Sequence, residues 1–156
     1  MRKSLTTLFA CAVVLALAIP VFAGGFYLIT GNPDASPAAK SMNAVLTIKA
    51  SGCGDPDSAT INATAIGMVD GRRESIALKL VRLEEPGMYA VTQQWPAKGR
   101  WVLQFLGRDH DRVTHTLVPA GPSGGERQAA KFGMRLPTDR DVAQLLEPAS
   151  ASVSGK

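Results

Sequence analysis

Two cysteines and two histidines among 156 residues leave this chain few of the side chains that ligate metals or attack carbonyl carbons. Cys11 lies inside the N-terminal apolar run, so Cys53 is the one thiol beyond it and no intramolecular disulfide is expected in a processed chain. There is no Gly-x-Ser-x-Gly elbow, and Ser58 or Ser75 with either histidine carries no distinguishing spacing; a hydrolytic triad is therefore not expected. Glycine loops that cradle phosphates, internal repeats and long runs of helical period are also missing. A parallel α/β fold needs crossover helices, which this chain does not supply. Charge of one sign is not concentrated either: Arg72-Arg73, Arg108, Arg112 and Arg127 are dispersed. The formal +4 falls to about +2 without Arg2 and Lys3, so no nucleic-acid partner is expected.

What the chain does have begins at its first residues. Met1-Arg2-Lys3 precedes an apolar run from Leu8 to Val21 that closes on Val21-Phe22-Ala23, a small-x-small pattern a signal peptidase can cut. Residues 1–23 are read as a signal peptide and the mature chain as periplasmic or secreted, with about 133 residues, enough for one domain. The short basic start and unpaired cysteine suit a bacterial envelope protein. An alternative keeps residues 8–29 as an uncleaved membrane anchor, which would make the membrane a partner; Pro20 and Gly24-Gly25 oppose it. Lipidation at Cys11 is disfavoured, because most of the apolar segment follows that residue.

Residues 24–42, with Asn32-Pro33-Asp34 and Ser36-Pro37, read as a flexible tether. A domain over 43–119 follows. Ala44 to Lys49 alternates with its apolar set on even positions, and Ser58–Val69 and Arg72–Leu83 flank Asp70-Gly71 as a hairpin, with Ile76, Leu78 and Leu80 on one parity. Tyr89, Val91 and Trp95 share a face of the next strand, as do Trp101, Leu103 and Phe105 of the one after, and Val113–Val118 makes a last strand. Short strands divided by Gly, Pro and Asp turns predict an all-β fold, an immunoglobulin-like antiparallel sandwich of about six to seven strands. Residues 120–156 read as a linker and mostly disordered tail with one short helix over 138–147, capped by Thr138.

Chemistry-bearing candidates are sparse. His110 and His115 lie on opposite parities of one extended stretch, and would bind copper or zinc only with soft partners such as Cys53, Met88 or Met68. Asp55 and Asp57 beside Cys53 would raise its pKa rather than activate it. The carboxylate pairs Glu84-Glu85 and Asp55/Asp57 sit in turns, where solvated charge is the ordinary outcome, and Asn62-Ala63-Thr64 falls inside a strand. Tyr89, Trp95 and Trp101 read as core, with an exposed platform as the alternative.

The stretch from Leu83 to Val91, with Pro86-Gly87-Met88-Tyr89, resembles the tyrosine corner of immunoglobulin-like domains. Continued through Trp95-Pro96-Ala97-Lys98-Gly99-Arg100-Trp101-Val102-Leu103, it is similar to the hairpin of small exported or membrane-anchored bacterial domains of the YtkA-like and FixH-like families. That resemblance implies an envelope location and a context of copper handling and oxidase assembly. The expectation from residues and resemblance together is a non-enzymatic binding or accessory module that offers edge strands or loops to an envelope protein partner. The alternative is a periplasmic copper- or zinc-binding protein using His110, His115, Cys53 and Met88.

Overall fold

The computed structural model describes residues 25–52, 55–122 and 124–147, so the signal-peptide reading of 1–23 and the side chain of Cys53 lie outside the described residues. Ten strands are described: β1 Phe26–Gly31, β2 Ala44–Gly52, β3 Thr60–Val69, β4 Arg72–Leu78, β5 Leu80–Arg82, β6 Met88–Thr92, β7 Arg100–Asp109, β8 Arg112–Gly121, β9 Gly124–Gly125 and β10 Lys131–Gly133. Two helices join them, α1 Pro37–Ser41 and α2 Asp139–Leu146. The first sheet has the order β1-β2-β6-β5 and the second β10-β8-β7-β3-β4, with β9 also on β8. Every strand pair is antiparallel. Taking β1 to β8 in chain order as A, B, C, C′, D, E, F and G reproduces the A-B-E-D and G-F-C sheets of the immunoglobulin sandwich, with C′ added.

Alternation builds the core. Leu46, Ile48 and Ala50 of β2 and Val91 of β6 face Ala63 and Ala65 of β3 and Trp101, Leu103 and Phe105 of β7, with Trp95 closing one end. Tyr89 packs partly buried against the same cluster, so the three large aromatics are core and form no exposed platform. Asp70 and Gly71 both have positive φ (50° and 75°), the geometry that a two-residue hairpin loop with right-handed twist requires. The long strand expected over 72–83 is broken at Lys79, where the chain leaves the second sheet for the first. Gln94 pins that crossing: its Oε1 accepts from the Lys79 N–H and its Nε2 donates to the Lys79 carbonyl, both at 2.9 Å.

Two expectations need correcting. Residues 26–41 are not a flexible tether. Phe26 and Leu28 are buried in the core, which makes this segment the first strand of the sandwich. The same strand takes Phe26–Ile29 out of the apolar run that an anchor over 8–29 would need. Asn32-Pro33-Asp34 and Ser36-Pro37, read as linker, are caps instead. Asn32 Oδ1 accepts from the Asp34 N–H, Ser36 Oγ accepts from the Ala39 N–H, and Pro37 occupies the first turn of α1. Ala39 of α1 then packs on Leu83 and Ala90, covering the outer face of the first sheet.

The segment from 124 to 147 is likewise part of the fold. β9 and β10 extend the second sheet, and α2 lays Val142 on Ile66, Val102 and Leu117 of that sheet's outer face. The helix falls where Thr138 and the apolar stripe placed it, with Thr138 and Asp141 forming a reciprocal capping box. Arg73 of β4 bonds Asp139 at 2.9 Å and ties the helix down. A further correction concerns Tyr89. It sits on β6, the E strand, whereas a tyrosine corner opens strand F, and among the described residues its hydroxyl makes no hydrogen bond. Backbone pairs hold the preceding turn instead: Leu83 N–H to the Met88 carbonyl and Met88 N–H to the Glu85 carbonyl.

Candidate functional site

The metal candidates are scattered. Met88 lies on the outer face of the first sheet, packed under α1 with Ala39 and Leu83. His115 lies on the outer face of the second sheet, over Gly133 of β10. The whole sandwich separates the two, with the sheets themselves about 10 Å apart, so they cannot share an ion. His115 is buried, and its Nδ1 donates to the Arg135 carbonyl at 2.7 Å, an acceptor that places the ring proton on Nδ1. This histidine pins the segment after β10 to the sheet. Met68 is partly exposed near the end of α2. Among the described residues no group of three His, Cys, Asp or Glu side chains is placed to hold a metal ion.

His110 occupies the β7–β8 turn with φ 55° and projects into solvent, its Nδ1 2.8 Å from Asp109 Oδ1. The turn lies at the end of the sandwich where β3 begins, Thr60 pairing with Arg108, beside the 55–59 loop. From that loop Ser58 donates to the Asp55 carbonyl at 2.7 Å and to Asp109 Oδ1 at 3.4 Å. Asp109 itself is buried and also bonds Arg112. The hydrogen bond with His110, aided by the Arg112 charge, holds its carboxyl below the usual carboxylate range against the opposing effect of burial. Ser58, Asp109 and His110 therefore meet, but in an order that activates nothing: the hydroxyl faces a carboxylate and a carbonyl, and no imidazole is placed to take its proton. The cluster joins the 55–58 loop to the β7–β8 turn.

The feature that stands out lies on another side. β1 ends the first sheet and β10 ends the second, and the two edges flank an open groove of about 440 Å³. Leu28, Thr30, Thr116 and Ala130 line it together with Tyr27, Ile29, Lys131, Phe132 and Met134. Tyr27 (41%), Ile29 (45%), Phe132 (73%) and Met134 (68%) are exposed, and Leu136 (53%) continues the stripe. Aromatic and aliphatic side chains this exposed and this clustered mark a docking surface more often than ordinary monomer surface. Thr116 Oγ1 donates to the Leu28 carbonyl at 3.0 Å, so the main chain of Leu28 faces away from β2. By antiparallel alternation the main chain of Thr30 does too, which leaves it on the open edge. Lys131 is the one charged side chain lining the groove, and among the described residues it has no carboxylate within ion-pair distance.

None of the groove's exposed apolar residues was singled out from sequence. Phe26 to Ile29 reads equally as the end of an export segment, and Phe132, Met134 and Leu136 fall in a stretch punctuated by Gly and Pro. Their alternation on even positions was the one available signal. The fold and this surface define the class: an immunoglobulin-like β-sandwich with an apolar open edge. Set beside known proteins, the chain matches no family model, no curated protein and no solved structure.

Proposed function

We propose that this chain is an exported, non-enzymatic accessory domain of the bacterial cell envelope that binds a protein partner along the β1–β10 side. One observation carries the reading: two adjacent sheet edges expose Tyr27, Ile29, Phe132 and Met134 around a groove, with unpaired main chain beside them. An edge of this kind invites pairing with another chain unless it is covered, and natural sandwiches normally blunt it with charge or proline. Here a single lysine lines the groove. The basic start and apolar run of residues 1–23 support export, whereas the stretch likened to YtkA-like and FixH-like hairpins falls on β6 and β7, which lie in different sheets, so that similarity adds no support. The placement of Met88 and His115 on opposite faces lends the copper or zinc reading no support.

The reading is tested by tagging the protein in its host, fixing complexes with a reversible cross-linker, and comparing wild type with the pair Phe132→Ser and Met134→Ser. A discrete heteromeric complex that disappears in the double variant, and persists when Arg140 of α2 is changed to Ala, is the expected result. An unchanged complex in the double variant would show that the partner binds elsewhere.

A further inference from the structure

The groove has both a shape and a charge, and together they specify an occupant. Along one wall runs the free edge of β1, where Thr30 offers main-chain donor and acceptor groups that an incoming strand can pair. Along the other wall lies Phe132, on Lys131–Gly133, with most of its ring exposed. Leu28, Thr116 and Ala130, less exposed than the residues around them, form the groove's floor. Lys131 stands at the rim with no acidic partner among the groove's lining residues.

From these we infer that the occupant is an extended segment of a partner protein that adds as a strand to β1, buries alternate apolar side chains in the groove, and sets a carboxylate against Lys131. This rests on the binding reading above and names the partner's chemistry. A bilayer is the poorer fit, because lipid cannot satisfy the open main chain of β1. A second copy of this chain is also poorer, since its groove would bring another Lys131 and no carboxylate to answer the first.

The test uses the mature protein recovered from its host, and two fluorescein-labelled peptides as probes: Thr-Val-Thr-Val-Thr-Asp-Thr, whose carboxylate shares the groove-facing parity of the valines, and the same peptide with Lys in place of Asp. Anisotropy gives the affinities, and amide shifts of labelled protein locate the site. The Asp peptide is expected to bind about two- to fivefold more tightly, the scale of one exposed ion pair, with shifts concentrated on β1 and β10. Lys131→Glu should reverse that preference. Thr30→Pro, which blocks pairing at a position with no ladder bond to lose, should weaken both peptides at least about tenfold. If Thr30→Pro does not fold, Ile29→Asp is read in its place with the same expectation.

Equal affinity for the two peptides, full binding by the edge variants, or shifts away from β1 would overturn the proposal. So would a concentration-dependent dimer abolished by Phe132→Ser, or binding to phosphatidylcholine–phosphatidylglycerol vesicles with no peptide binding. If neither peptide binds while Phe132→Ser with Met134→Ser still abolishes the host complex, the inferred occupant is wrong and the binding reading stands. If that double variant also leaves the complex intact, both fail.

Discussion

Gly67→Ala offers a direct check on how the core packs along the inner face of the second sheet. Gly67 of β3 sits opposite Trp101 of β7, and a Cβ built there would lie 2.4 Å from Cε3 and 2.5 Å from Cδ2 of the indole. The ring cannot retreat, because Trp101 is fully buried and its Nε1 donates to the Lys98 carbonyl at 3.0 Å. Relief must come from strand separation or a strained rotamer, typically about 1–3 kcal/mol for an overpacked core. With three indole atoms this close the cost falls in the upper part of that range, about 2–3 kcal/mol, and since alanine recovers about 0.5–1 kcal/mol of the backbone entropy glycine loses in a strand, the net loss is about 1–2.5 kcal/mol. For a domain of this size that corresponds to a Tm lower by about 4–8 °C, read by circular dichroism. In a Trp101→Leu background the same substitution should cost close to nothing, so the two changes are non-additive by about 1 kcal/mol or more. A Tm unchanged by Gly67→Ala, or a full loss that persists without the indole, would refute the packing argument.

Three further outcomes follow from the same geometry. Val142→Ala removes two methyl groups buried against Ile66, Val102 and Leu117, and should destabilise by about 2–3 kcal/mol in denaturant melts, whereas a free tail would show no change. Asp141 is held well below the usual carboxylate range, chiefly by hydrogen bonding from Arg135 and then by the N–H and hydroxyl of Thr138. Its stabilising effect is therefore complete above the unfolded value of about 3.9 and declines as pH falls below it. The Tm gap between wild type and Asp141→Asn should be widest at neutral pH and close progressively below about pH 4; a gap that widens in acid would reverse the sign of the argument. His115→Ala breaks the bond to the Arg135 carbonyl and should cost about 1–3 kcal/mol while leaving calorimetric titrations with zinc or copper unchanged; a lost metal isotherm would return His115 to the ligand set.

The central strands were legible because the face each turns toward the opposite sheet carries large apolar side chains along its length, and such a face writes itself as alternation. Leu46, Ile48, Trp101, Leu103 and Phe105 all face where their parity placed them. Thr138 was legible as a cap because its signal is local. The two ends of the fold were not. Asn32, Pro33, Ser36 and Pro37 serve linkers and helix starts equally well, and only the landing of Ala39 on Ala90 decides between them. β1 was hidden by its position beside an apolar run of the same composition that reads as an export segment, and β10 by its length of three residues, below the reach of any periodicity. The groove was illegible for a related reason: it joins residues about a hundred positions apart, and neither half is complete alone.

The most direct test of the account places a photoreactive phenylalanine analogue in the living host at Phe132, beside the groove, and at Val81, on the opposite edge of the first sheet. The account predicts that illumination joins position 132 to a different envelope protein and that Val81 yields no such adduct. Adducts from Val81 alone, or from neither position, would contradict it.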